Sequence, residues 1–260
     1  MISPKTSLDS SNARNIANRL ESISGGKVLD VATGNGDFIR TLMKTLKDYD
    51  SFTGIDISQK DLESARKNFE NQATKFIEMN AEKMEFENDY FNTVCIANSL
   101  HHLNKIDLVL SEMKRVLKSE GYFIVQESFC DGEQTEAQKS EILSHHLDTE
   151  IDSLLGIPHK KTFTSQKIKD IISSIGLREV EVFESSRDVK CLFCDQWVKC
   201  EDPKNEDIVN FSIKGINESL NRLKNLKAFK KFQEKADKIK ERIMKFGLAS
   251  ASILFFIGKK

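Results

Sequence analysis

Proline is scarce, at 3 residues in 260, glycine is modest at 12, and tryptophan occurs once. That poverty excludes collagen-like and low-complexity chains. No apolar run approaches the roughly 18 residues a membrane helix needs, and the longest, Ser252 to Ile257, is strand-sized. The first ten residues, MISPKTSLDS, lack the basic-then-apolar pattern of a secretory leader. A cytoplasmic chain with no membrane span is therefore expected. Charge of either sign is not in excess: 39 Lys and Arg meet 40 Asp and Glu, so no global field draws the protein to nucleic acid or anionic lipid. A Gly-x-x-x-x-Gly-Lys phosphate loop is also missing.

What is present is a soluble balance, 39% hydrophobic and 30% charged, sufficient for a buried core. From about Lys27 to Val125 short apolar runs alternate with helical patterns. Val28-Leu29-Asp30-Val31 reads as a buried strand, and Phe38, Ile39, Leu42, Met43 and Leu46 then share one helical face. Strands are expected at Phe52–Ile57, Phe76–Met79, Phe91–Ala97 and Tyr122–Gln126, with helices at Asp61–Asn71 and from Ile106 to a stop at Gly121. Such alternation implies parallel strands joined by right-handed crossovers, a doubly wound α/β sheet with helices on both faces.

The second half reads differently. Helices are expected over Glu133–Leu155 and around Ile168–Ile175, the latter closed by Gly176. Two late strands follow, Arg178–Phe183, where Val180 and Val182 alternate with Glu179 and Glu181, and Ala251–Ile257. About sixty mostly helical residues separate them, far more than a connection needs. The expected organisation is a main domain of residues 1–186 plus 248–260, with residues 187–247 inserted as a helical cap.

The chemistry concentrates in residues 26–127. Leu29-Asp30-Val31-Ala32-Thr33-Gly34-Asn35-Gly36-Asp37 is a strand entering a glycine turn that opens a helix. Gly34 and Gly36 can take positive φ and admit a ligand close to the backbone. The next strand ends at Asp56, in Gly54-Ile55-Asp56-Ile57-Ser58, where a carboxylate can accept two bonds from ribose hydroxyls.

With these residues the chain resembles the class I S-adenosylmethionine-dependent methyltransferases, in the branch resembling the ubiquinone and menaquinone biosynthesis enzymes. Asp30-x-Ala32-x-Gly34-x-Gly36 looks like the cofactor loop, with Ala32 where the family often has glycine. Asp56 and Ile57 lie in the ribose motif, and Asn80-Ala81-Glu82 resembles the adenine-edge motif, with Asn80 where aspartate is commoner. Phe91-Asn92-Thr93-Val94 through Ser99-Leu100-His101-His102-Leu103 and Arg115 to Tyr122 resemble the fourth and fifth motifs. The resemblance implies a mostly parallel, seven-stranded Rossmann-like sheet whose last strand inserts antiparallel beside the fifth. It further implies S-adenosylmethionine as cofactor, S-adenosylhomocysteine as product, and direct displacement of a methyl group from the sulfonium. Asn98 is a further cofactor or acceptor contact by position.

On the acceptor side the candidates are His101, after the fourth strand, His145 and His146 in Ser144-His145-His146-Leu147-Asp148, and Glu127 at the end of the fifth strand. His146 and Glu150, four apart, share a helix face, as do His145 and Asp152, seven apart. These pairs suit an acceptor pocket, a divalent-metal site or plain surface ion pairs. Three cysteines, Cys191, Cys194 and Cys200, supply a Cys-x-x-Cys half-site, so the metal candidates are His145, His146, His159, Cys191, Cys194 and Cys200. Free thiols in a cap segment are the plainer alternative.

Lys204 to Lys245 carries a local basic excess on an amphipathic pattern (Phe211, Ile216, Leu220, Leu223, Leu226). It reads as a solvated cap face or, alternatively, as a phosphate-contacting patch for RNA. A methyltransferase acting on a small molecule is expected, monomeric or homodimeric. An RNA methyltransferase using the basic cap and a cofactor-binding regulator without turnover are the alternatives.

Overall fold

A computed structural model describes residues 9–69, 74–157, 159–193 and 202–260. Seven strands form one sheet: β1 (Lys27–Val31), β2 (Ser51–Asp56), β3 (Thr74–Glu78), β4 (Phe91–Ala97), β5 (Leu117–Ser128), β6 (Arg178–Ser185) and β7 (Ile253–Lys259), in the order β3-β2-β1-β4-β5-β7-β6. β1 to β5 are mutually parallel, and β7 runs antiparallel between β5 and β6. The order reverses between β1 and β4, the crevice where open α/β sheets bind ligands.

Both sheet faces are covered, and the pleat sorts the residues. Leu29 and Val31 face one core with Val94, Phe123 and Val125, closed by α4 (Ile106–Val116) and α6 (Ser165–Ser174). Val28, Cys95 and Ile124 face the other, closed by α1 (Asp9–Leu20), α2 (Asp37–Thr45) and α3 (Gln59–Asn68). A third cluster joins Leu147 and Ile151 of α5 (Glu136–Leu154) to Ile216 and Leu220 of α7 (Glu206–Asn221), then Ala236, Ile239 and Ile243 of α8 (Phe229–Phe246). The two helices between β6 and β7 thus share their apolar face with α5.

Two local expectations differ. Gly121 does not end α4, which stops at Val116; the chain passes directly into β5. The glycine instead serves an irregularity opposite Phe91–Thr93, next to Glu120 at φ 64°. A Cβ at Gly121 would lie 2.5 Å from Leu117 Cδ1 and 2.9 Å from the Asn92 carbonyl, so close packing and not helix termination selects it. On β6 the alternation has the opposite phase: Val180 and Val182 are exposed, while Phe183 packs on the core and Glu181 receives Arg19 Nε at 2.7 Å. The register slips between Arg178 and Glu181, with Glu179 at φ 49°, and a one-residue bulge turns each later side chain to the opposite face.

Candidate functional site

The turn after β1 is wound through left-handed backbone: Ala32 has φ 54°, Gly34 53° and Gly36 84°. Ala32 adopts this conformation without glycine's freedom, a local strain of about 1 kcal/mol or more. A Cβ on Gly36 would come within 2.6 Å of the Phe69 ring, whereas one on Gly34 would meet nothing within 4 Å. Gly34 therefore borders open space, a cavity of about 230 Å³ lined by Asp30, Gly34, Asn98, Ser99, Gln126 and Asp188 among others.

Two features of that cavity call for a donor. Asp30 is buried, accepts Thr33 Oγ1 at 2.6 Å, and burial pushes its carboxyl up to about 7 despite that bond. Gln126 donates Nε2 to Asp188 Oδ2 at 3.0 Å, yet its Oε1 is buried without a partner. An ammonium group placed here would offset a charge on Asp30 and donate to the Gln126 oxygen, so the chain's own residues fit the amino-acid end of S-adenosylmethionine.

The ribose and adenine candidates are placed at the neighbouring strand ends. Asp56 accepts the Gly34 N–H at Oδ2 and the Ser58 N–H at Oδ1, both at 2.9 Å, so it pins the glycine turn to β2. Ile57 beside it is 73% exposed, a free apolar face at the end of β2. Asn80 Oδ1 accepts the Glu82 N–H at 2.9 Å, Ala81 packs at the rim of the core, and Glu82 pairs with Lys105 at 2.9 Å. None of these five lines the 230 Å³ cavity, which holds the opposite, β4–β5 side of the crevice. Asn98, at φ 48°, does line it and accepts Ser128 Oγ at 3.0 Å.

The histidines converge at the same end of the sheet. His101 sits in the 3₁₀ turn Leu100–His102 after β4, and Glu127 lies beside it on β5. Glu127 is fully buried, accepting the Leu100 N–H at 3.0 Å with Oε2 and pairing with His101 Nδ1 through Oε1. His145 of α5 and His159 of the following loop bring their rings to 4.9 Å of each other, and His145 stands 4.9 Å from His101. Burial, then the neighbouring imidazoles, lower His145 to about 3, which keeps it neutral at physiological pH.

The carboxylate partners differ from the helix-face pairing. Asp152 takes His159 Nδ1 at 2.7 Å and Arg222 at 2.6 Å, while Glu150 takes Lys161 at 2.7 Å and Lys235 at 2.5 Å. Helix periodicity identified shared faces but carried no information on residues reaching α5 from elsewhere. His101, His145 and His159 form one group whose ligand-capable atoms all lie within 4.8 Å of one another; His146 and Cys191 are not part of it. Cys194 and Cys200 lie outside the described residues. In the basic cap, Lys235, Arg222 and Arg242 are spent on Glu150, Asp152 and Glu136 of α5.

Sequence reasoning missed Thr33, Gln126 and Asp188. Gln126, a polar residue ending an apolar strand next to Glu127, carried a signal; Asp188, at the start of the inserted segment, carried none.

A family model described as a methyltransferase domain matches residues 22–174. The ubiquinone/menaquinone biosynthesis C-methyltransferase UbiE of Paraburkholderia phytofirmans is 34% identical over 105 residues, covering 40% of this chain and 43% of that protein. The UbiE of Allorhizobium ampelinum is 36% identical over 108 residues, covering 40% and 42%. The chain thus matches less than half the length of these curated relatives. Among solved structures, a candidate methyltransferase of Bacillus halodurans superposes with a TM-score of 0.58 at 19% identity, over 96% of this chain and 99% of that one. Phosphoethanolamine N-methyltransferase 2 of Haemonchus contortus, in complex with S-adenosyl-L-methionine, gives 0.55 at 17%, over 96% and 52%. At such identities the structures support the fold. Among the described residues no helix is long and apolar enough to cross a membrane.

Proposed function

The chain belongs to the class I S-adenosylmethionine-dependent methyltransferases, and from that premise we propose that it transfers a methyl group directly to a small-molecule acceptor. The acceptor is held at the C-terminal edges of β4 and β5, beside α5 and the helices packed on it. When bound, S-adenosylmethionine supplies a methyl group already activated on a sulfonium. The Gly34 turn, Asp30 and Gln126 hold its amino-acid end, and Asp56 with Ile57 meets the ribose and adenine. The protein then has to align acceptor atom, carbon and sulfur and keep water out. His101, its ring held by Glu127, stands at that end of the sheet.

The observation that carries the small-molecule reading is the placement of three of the cap's basic residues. Lys235, Arg222 and Arg242 are turned onto carboxylates of α5, which uses them to seal the histidine-lined end. A phosphate-tracking surface would present them outward. Quinone-related compounds, suggested by the ubiquinone/menaquinone biosynthesis named for the UbiE relatives, are one class to try first.

Transfer of a labelled methyl group from the donor into cell extract, fractionated into small molecules, protein and RNA, tests the reading. Label among small molecules, absent with Asp56→Ala, is the expected result. Label confined to RNA or protein overturns the acceptor class, and no label in any fraction overturns turnover itself.

A further inference from the structure

We infer that His101, His145 and His159 form a binding site for a single divalent transition-metal ion, zinc being the best fit. The three residues come from a turn, a helix and a loop, yet their ligand-capable atoms lie within 4.8 Å of one another. Tetrahedral zinc with bonds of about 2.0–2.1 Å needs its nitrogens roughly 3.3 Å apart, which small ring rotations provide.

The hydrogen-bond pattern points the same way. Glu127 engages Nδ1 of His101, and Asp152 engages Nδ1 of His159. A carboxylate accepts, so the ring hydrogen sits on Nδ1 and the Nε2 lone pair is left for a metal. This carboxylate–histidine arrangement is the one that orients ligands in metal sites. Nε2 of both His145 and His159 is buried with no hydrogen-bond partner, an arrangement that is costly unless something occupies the space between.

Donor chemistry selects the ion. Three imidazoles without a carboxylate or thiolate in the set disfavour calcium and magnesium and suit zinc, cobalt, nickel or copper. Glu127 and Asp152 lie behind the rings and offset the ion's charge. Three protein ligands leave a tetrahedral ion one position for a water or for an anionic group of the acceptor.

Cobalt(II) is the probe, titrated into the full chain after removal of metal with a chelator, with absorption reporting tetrahedral geometry and zinc as competitor. The expected result is one equivalent of tetrahedral cobalt that zinc displaces. His145→Ala and His159→Gln should each weaken binding by about 100-fold or more, and Asp152→Asn by about 10–100-fold. His146→Ala should leave affinity within about threefold. Two substitutions on separate elements, each checked by circular dichroism and urea midpoint, keep a folding defect from imitating ligand loss. Absence of saturable binding, or equal affinity in the well-folded His145→Ala and His159→Gln proteins, overturns the site. Because binding is read without turnover, this result is independent of whether the methyl-transfer reading survives.

Discussion

The glycine turn and the histidine cluster lie at the same end of one sheet but are built in opposite ways. In the turn, the backbone sets the shape: left-handed conformations at three alternate residues, pinned by one carboxylate, leave a cavity bordered by main chain. In the cluster, side chains from three separate elements converge, and carboxylates behind His101 and His159 orient those two rings. A backbone-built site needs little beyond a local motif, so it survives wide sequence change. A side-chain-built site depends on how α5 and the helices packed on it dock, so it needs the tertiary fold to exist at all.

Substitutions that strike one half and spare the other sharpen this contrast. The largest effect is expected from Asp56→Ala, which removes the charge-assisted bond holding the turn at Gly34 and a second one to the Ser58 amide after β2, each worth roughly 1.5–3 kcal/mol. S-adenosylhomocysteine affinity measured by calorimetry should fall by about 100-fold or more, with cobalt binding at the histidines untouched. Unchanged affinity would mean the turn holds its shape without Asp56.

Next comes the pH dependence of Asp30. Its carboxyl in the folded state sits near 7, above its ordinary value of 3.8, because burial penalises the charge. Its contribution to stability is therefore complete below about pH 4 and is lost as pH rises through 7. Between pH 5 and pH 7 the folded protein should lose about 2 kcal/mol to this residue. Urea unfolding at both pH values should show a smaller loss in Asp30→Asn; equal slopes would locate the pH dependence elsewhere.

The smallest of the three is expected from Glu127→Gln, which keeps the shape but weakens the hold on His101 and on the Leu100 amide. Methyl transfer should drop by about tenfold with cofactor affinity preserved. A parallel loss of cofactor affinity would show that the two halves are coupled through β5 and erase the distinction.

Much of the first half is legible in the amino-acid order alone. Residues 28–31 and 91–97 are apolar nearly throughout, as strands covered on both faces must be, and the Gly34–Gly36 turn announces itself by composition. Legibility fails where a single residue changes phase or purpose. Glu179 in left-handed backbone reverses which side of β6 is buried, and Gly121 serves a close approach to the Asn92 carbonyl where a helix stop was expected. Neither is visible in periodicity, because both answer to a neighbouring strand.

The sequence by itself determined the sheet's strand–helix alternation, the glycine turn, and Asp56 at the end of the second strand, since each depends on contacts within a few tens of residues. Tertiary structure alone decided that His159 pairs with Asp152, that Glu150 holds Lys235, and that Asp188 reaches the 230 Å³ cavity beside Gln126. Those partners stand 7, 85 and 62 residues apart. Helix periodicity ranks residues on one face, but only the docking of loop and cap onto α5 says which charge arrives there.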